Sequence, residues 1–249
     1  MKELVSIITP CFKPDDRILE TIRSVQAQTY QNYEHIIIDD ATPGSLPQEM
    51  VDVIALDPRI KLIRRSWNAG PAVSRNRGID AASGRFIAFL DADDLWHPDK
   101  LSTQIEFMLK HQVALSYTAY EVIDQKGRVL GTRFPSSSLT YEDVLKSNQI
   151  GCLTAIYDTH LISKRYMPNI AKRQDMGLWL SILKEGHIAR RVGERSLARY
   201  RVGSTSVSSN KFNVLKYQWR IYREVEKLSL LKSINYFRHY AYRGLSRKI

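Results

Sequence analysis

Three carboxylates crowd one short loop, where the apolar run Phe86-Ile87-Ala88-Phe89-Leu90 ends in Asp91-Ala92-Asp93-Asp94. Like charges this close raise one another's pKa unless a cation or hydrogen-bond donors share the site. Hard carboxylate oxygens suit Mg²⁺ or Mn²⁺, which commonly bind through one or two carboxylates and complete their shell with substrate phosphates. Asp91 and Asp93 are therefore the candidate metal ligands. Taken alone, an Asp-x-Asp is equally an acidic turn capping the helix near Pro98. A second pair, Asp39 and Asp40, follows Ile36-Ile37-Ile38. A carboxylate there can accept hydrogen bonds from a nucleobase or ribose, or it can cap its own turn over Ala41 to Ser45. Asn68, Gly70, Arg75, Asn76 and Arg77 form a third group around a helix start. Positive side chains and free helix amides can meet phosphate or ribose, and bracing of the acidic loop by Arg75 is an equal alternative.

These groups need a frame that brings them together. The first 100 residues alternate short apolar runs with helical patterns, which predicts strand-helix-strand units in a mostly parallel sheet flanked by helices. Strands are expected at Leu4 to Thr9, His35 to Asp39, Ile60 to Arg64 and Phe86 to Leu90. Asp15 or Asp16 can cap a helix whose apolar positions Ile18, Ile22 and Val25 recur at helical spacing. A second helix is expected at Pro47 to Leu56. Pro71 suits the first position of a third helix, with Gly84 as its stop. In such a sheet the carboxyl ends lie along one edge, and ligands bind outside that edge where strand order reverses. Thr9 and Pro10, Asp39 and Asp40, and Asp91 to Asp94 all fall there. Beyond residue 100 the pattern predicts a helix at Pro98 to Lys110, strands at Ala114 to Val122 and Arg128 to Phe134, a helix start at Thr140 with Asp143, and a helix from Arg173 to Lys184 ended by Gly186.

Composition narrows the functional classes. A chain of 249 residues with 43% hydrophobic content can bury a substantial core. Cys11 and Cys152 are too few for a disulfide framework and lack metal-ligand spacing, so both are expected to line the core. The turn from Pro10 to Pro14 has no G-x-G-x-x-G, which argues against a dinucleotide-dependent oxidoreductase. The remaining rival to an enzyme is a nucleotide-binding module without catalysis.

The run VSIITPCF, then IIIDDAT, NAG with SRNRGI, SGRFIAFLDADDLWHPDKL, RQDMGLWL and YRVGSTSVSSN resembles, in order, the motifs of the family 2 glycosyltransferases over residues 4 to about 210. The resemblance implies a GT-A fold in a domain spanning 1–210 and an inverting transfer of sugar from a nucleoside diphosphate. It implies that Asp40 recognises the base, uracil by preference, that Asp91 sits near ribose and metal, and that Asp93 binds a Mn²⁺ or Mg²⁺ bridging the diphosphate. The nucleotide-sugar contacts expected are Thr9, Pro10, Asp40, Asn68, Arg75, Asp91, Ala92 and Asp93. Asp175 aligns with the family's general base, a role that activates the acceptor hydroxyl. Arg173, Gln174 and Trp179 are candidates for the acceptor site, although an aromatic residue at the spacing of Trp179, one turn beyond Asp175, is more often a core residue. Two positions depart from the pattern: Gln174 replaces the first carboxylate of Glu-Asp, and Gly203 stands where Tyr-Arg-x-His would supply a third metal ligand. Water or substrate oxygens would then complete the shell. The segment MPNI with RQD and LWL is similar to a subgroup making teichuronic acid or O-antigen units, with a UDP-linked hexose or N-acetylhexosamine as donor.

Net charge is +11, and residues 211–249 carry ten Lys and Arg against two Glu. A nucleic-acid binder spreads basic residues over its folded face, so no nucleic-acid partner is expected. Instead the tail alternates basic residues with an apolar series: Leu215, Trp219, Tyr222, Ile234, Phe237, Ala241 and Leu245. Such a helix suits the interface of an anionic membrane, where it would bring the site to a lipid-linked acceptor, or it packs on the catalytic body. With no stretch of about 20 apolar residues, the protein is expected in the cytoplasm, peripheral on the inner face of the membrane.

Overall fold

Apolar runs buried on both faces organise the first half of the chain. The computed structural model describes residues 3–203 and 211–246, with side chains described over 3–203 and 215–242. In chain order the elements are β1 (Val5–Cys11), α1 (Arg17–Gln26), β2 (Tyr33–Asp39), α2 (Gln48–Leu56), β3 (Ile60–Arg64), α3 (Pro71–Ala81) and β4 (Phe86–Phe89). The four strands pair in parallel in the order β3-β2-β1-β4. β2 and β4 are buried along their whole length, as strands covered by helices on both faces must be. Because the chain leaves β1 toward β2 on one side and returns to β4 on the other, the order reverses at β1. The crevice lies outside the ends of β1 and β4.

The second half extends the same sheet. It comprises β5 (Leu95–Trp96), α4 (Lys100–His111), β6 (Leu115–Ile123), β7 (Val129–Arg133), β8 (Ser138–Leu139), α5 (Tyr141–Lys146), β9 (Ile156–Asp158), α6 (Thr159–Ile162), α7 (Gln174–Leu183), β10 (Ala189–Arg201), α8 (Lys211–Arg220) and α9 (Leu230–Ser246). β9 runs antiparallel between β4 and β6, while β10 lies parallel to β6, so the sheet is mixed but mostly parallel. Thr140 makes the expected capping box with Asp143. Asp16 occupies the cap position of α1 without a side-chain bond, and it is Asp15 that accepts the Arg17 amide, at 3.1 Å. Gly84 is not the stop of α3, which ends at Ala81. A Cβ at Gly84 would lie 2.7 Å from the Leu4 carbonyl and the Ser6 amide, so its bare backbone is what lets the loop close against β1. Cys11 lies in the core, its thiol pushed up to about 12 by burial and by Asp39 and Asp40. Cys152 is half-buried, packed against the core from the crevice side.

The tail is helical, and its inner stripe is part of the body. α8 continues through a π-helical turn at Ile221–Val225, where Ile221 and Tyr222 are fully buried in the same core as Trp179 and Leu180. The Tyr222 hydroxyl donates to the Leu145 carbonyl at 2.6 Å, and Glu226 accepts from Tyr141 at 2.6 Å and Lys184 at 3.0 Å. Trp219 and Phe237 meet edge to face at 5.6 Å. Ile234, expected in the apolar stripe, faces solvent instead, and Leu245 lies beyond the described side chains.

Candidate active site

At the end of β4 the chain turns out of the sheet, and each aspartate of the acidic loop meets a different environment. Asp94 is buried and accepts the Arg201 amide at 2.8 Å. Burial, reinforced by Asp91 and Asp93, raises its carboxyl well above the ordinary range. The buried Arg201 side chain ties the loop down: Nε donates to the Asp93 carbonyl at 2.9 Å, Nη1 to the Gln125 carbonyl at 3.1 Å and Nη2 to Glu20 at 2.6 Å. Asp91 receives Nη2 of the buried Arg75. Of the two readings of Arg75, the bracing one thus has a partner, and the residue also lines the crevice. Asp93 points outward, its side chain 44% exposed, with Arg17 Nη1 3.9 Å away.

That arrangement is what a hydrated divalent cation needs from a protein. Burial and the neighbouring Asp91 raise the Asp93 carboxyl while Arg17 opposes them, so a nearby cation would relieve the crowding. Among the described residues no third His, Cys, Asp or Glu joins Asp91 and Asp93 in a cluster. Two carboxylates with diphosphate oxygens and water make a shell suited to Mg²⁺ or Mn²⁺. Gly203 lines the crevice and offers no side-chain donor. The rest of the Ser- and Thr-rich motif, 204–210, lies outside the described residues.

On the β2 side the two neighbouring aspartates divide their roles. Asp39 is fully buried, accepting the Thr42 amide at 3.0 Å and Arg64 Nε at 2.9 Å, so it caps its own turn. Asp40 lines the crevice and accepts the Gly70 amide at 2.7 Å and the Ala69 amide at 3.2 Å, with Arg65 at 3.5 Å. Asn68 donates to the Asp40 carbonyl at 3.1 Å. Gly70, at φ +86, lets the chain turn into Pro71 and the first turn of α3. Pro10, Asn68 and Ala92 also line this wall. Thr9 does not: it is fully buried, its hydroxyl 2.8 Å from Nε2 of His35, because strand alternation sends Thr9 inward and Pro10 to the crevice. Burial lowers the His35 pKa to about 3, leaving a neutral ring. Asn76 has a structural tie instead, bonding both the amide and the carbonyl of Met167 at 2.8 Å.

The opposite wall is the start of α7. Asp175, in its first turn, lines the same crevice as Asp40, Asp91 and Asp93, in a volume of about 1500 Å³. Burial raises its carboxyl, opposed by Arg173 and Arg75, with Asp91 adding to the rise. Arg173 and Gln174 line the crevice beside it. Trp179 does not. It is fully buried, its ring edge-on to Phe89 at 6.0 Å, since one turn along α7 carries the side chain past the wall and into the core.

A model of the glycosyl transferase family 2 matches residues 6–167, well over half of the chain. This chain is a family 2 glycosyltransferase. A putative teichuronic acid biosynthesis glycosyltransferase of Bacillus subtilis is 40% identical over 249 residues, covering 100% of this chain and 98% of the relative. An Escherichia coli UDP-Glc:α-D-GlcNAc-diphosphoundecaprenol β-1,3-glucosyltransferase is 37% identical, covering 98% and 94%. In fold, the glycosyltransferase superposes on S. aureus TarS 1–349 bound to UDP-GlcNAc, with a TM-score of 0.71 at 17% identity over 97% of this chain and 72% of that one. A Pyrobaculum calidifontis mannosyltransferase in complex with GDP-Man and Mn²⁺ gives a TM-score of 0.70 at 14% identity, over 94% and 69%. The family 2 enzyme thus has the GT-A fold. Arg201, its four-way brace of the acidic loop, was the residue that sequence reasoning passed over. It stands in the motif Tyr200-Arg201-Val202-Gly203, 107 residues from the Asp94 it braces, and no local pattern marks that pairing.

Proposed function

We propose that this glycosyltransferase moves a hexose or N-acetylhexosamine from a UDP-linked donor to a hydroxyl of a lipid-linked saccharide, with inversion, in the assembly of a cell-surface polysaccharide. One observation carries the reading: the outward Asp93, with Asp91 beside it, on one wall and the half-buried Asp175 on the other share a single cleft. The E. coli relative's named donor and acceptor, and TarS with its UDP-GlcNAc, support the choice of substrates.

Asp40 and Asn68 hold the loop against which the base would rest, and the Asp40 carboxylate keeps acceptor capacity for the uracil imide. Asp93, with Asp91, would hold the divalent cation, whose Lewis acidity stabilises charge on the departing diphosphate. Asp175 accepts the proton of the acceptor hydroxyl as that oxygen forms its bond to the anomeric carbon. The bond from that carbon to the diphosphate oxygen breaks, its electron pair leaving with the nucleoside diphosphate. A base opposite the leaving group gives inversion in a single displacement. Arg75 holds Asp91 in place throughout.

The exposed face of α9 presents Leu230, Leu231, Ile234 and Tyr242 beside Lys232 and Arg238, which fits the surface of an anionic bilayer. No helix among the described residues is long and apolar enough to cross a membrane.

The decisive experiment pairs two substitutions. Asp175→Asn should lower transfer by roughly 10² to 10⁴ with UDP binding intact. Asp93→Ala should lower transfer comparably and also weaken Mn²⁺-dependent UDP binding in calorimetry. Near-normal turnover by Asp175→Asn would place the base elsewhere.

A further inference from the structure

The helix α9 touches a residue of the cleft wall. Its inner face is registered on the body by Tyr236 against Tyr222 at 6.2 Å and Phe237 against Trp219 at 5.6 Å. One turn beyond Tyr236, the Tyr240 hydroxyl accepts a hydrogen bond from Arg173 Nη2 at 2.5 Å, and the guanidinium carbon stands 5.4 Å from the ring centroid. Arg173 is no bystander. It is the residue before α7, it lines the cleft, and its charge acts on Asp175 two positions on. Its backbone is held at φ +67, a region that L-residues other than Asn and Asp seldom occupy and that persists where surrounding contacts over-determine it. A phenol oxygen together with an aromatic face restricts the rotamers open to this long side chain.

We propose that Tyr240 is a positioning residue for the acceptor side of the cleft: it fixes Arg173, so that the guanidinium meets the acceptor beside Asp175 in one geometry. The C-terminal helix is then a structural part of the acceptor site as well as a candidate membrane contact. The proposal rests on the reading of the Arg173 and Asp175 wall as the acceptor side.

The test is a double-mutant cycle on the full chain, with UDP-glucose or UDP-N-acetylglucosamine as donor and a GlcNAc-α-diphospho-alkyl acceptor. Tyr240→Leu should lower kcat/KM for the acceptor by about ten-fold, the scale of one charge-assisted hydrogen bond, with the donor KM changed less than about two-fold. Tyr240→Phe keeps the ring face and should lose roughly three-fold. In an Arg173→Gln background, Tyr240→Leu should change acceptor kcat/KM by less than about two-fold, because Tyr240 acts through Arg173. Thermal unfolding of each variant identifies loss of fold, and where Tyr240→Leu is unfolded at assay temperature the Tyr240→Phe cycle decides. Normal acceptor kinetics in the Tyr240 variants, or equal losses with and without Arg173, overturn the proposal. Turnover by Asp175→Asn with the cycle still coupled removes the base assignment and leaves Tyr240 standing, whereas an inactive Asp175→Asn with an additive cycle does the reverse.

Discussion

The two walls of the cleft are built by different means. The donor wall comes from neighbouring strand ends within the first 94 residues, and its carboxylates are held by backbone amides and by arginines: Asp40 by the Ala69 and Gly70 amides, Asp91 by Arg75, Asp94 by the Arg201 amide. The acceptor wall is one helix start, with an arginine in a left-handed backbone conformation and a tyrosine 67 residues further on. The donor wall is the more densely bonded of the two, and its distant brace, Arg201, bonds backbone and carboxylates. A wall made from side chains at distant positions can change with the acceptor while leaving nucleotide binding alone.

Breaking the donor wall should have the largest consequence. Arg201→Ala removes a buried guanidinium that bonds Glu20 and the carbonyls of Asp93 and Gln125. Loss of one partner from such a network destabilises by about 3 kcal/mol. For a domain of this size that lowers the melting temperature by roughly 6 to 12 °C, measurable by calorimetry. Mn²⁺-dependent UDP binding should fall with it, since the Asp93 loop loses its anchor. An unchanged melting temperature would make the donor wall no more rigid than its counterpart and remove the contrast.

The acceptor wall should answer to pH. As the proposed base Asp175 would act only when ionised, and burial raises its carboxyl above the ordinary value of 3.8. Acceptor kcat/KM should therefore fall as pH drops through that raised value, by about ten-fold per unit below it. The limb should appear with saturating Mn²⁺, which at the proposed site would keep Asp93 ionised, and it should vanish in the residual activity of Asp175→Asn. A limb that survives that substitution belongs to another group.

How much of this could be read from residues alone follows the same division. Ile60 to Arg64, the Pro71 helix start and the Thr140 capping box follow from local pattern, and the structure has each where the pattern predicts it. β10, at 13 residues the longest strand described, carries no regular apolar alternation. Register shifts against β6 between Arg191 and Ala198 interrupt its period of two, so the signal that reveals a strand is absent from it. Thr9 stands beside Pro10 at a strand end and Trp179 one turn beyond Asp175, where neighbourhood alone leaves cleft and core both open, and one strand position and one helical turn send each side chain into the core. Arg201 and Tyr240 act across separations of 181 and 67 residues, to Glu20 and Arg173, and no local pattern encodes such pairings.

The smallest stability change expected in the molecule carries information about the tail. Deleting residues 211–249 would remove Ile221 and Tyr222 from the core, so loss of vesicle binding by such a truncation would report unfolding as readily as lost contact. Substitutions on the outer face avoid this, because Leu231 is 81% exposed and Ile234 43%. Leu231→Glu with Ile234→Glu should shift stability by no more than about 0.5 kcal/mol per site. Each exchanges an apolar side chain for a negative one opposite an anionic headgroup layer, losing burial and adding repulsion. Flotation with vesicles containing phosphatidylglycerol should then show binding reduced several-fold. Transfer to a detergent-dispersed acceptor should stay near the parent rate, since the Tyr240 face is untouched. Equal flotation of parent and variant would confine the role of α9 to its inner face.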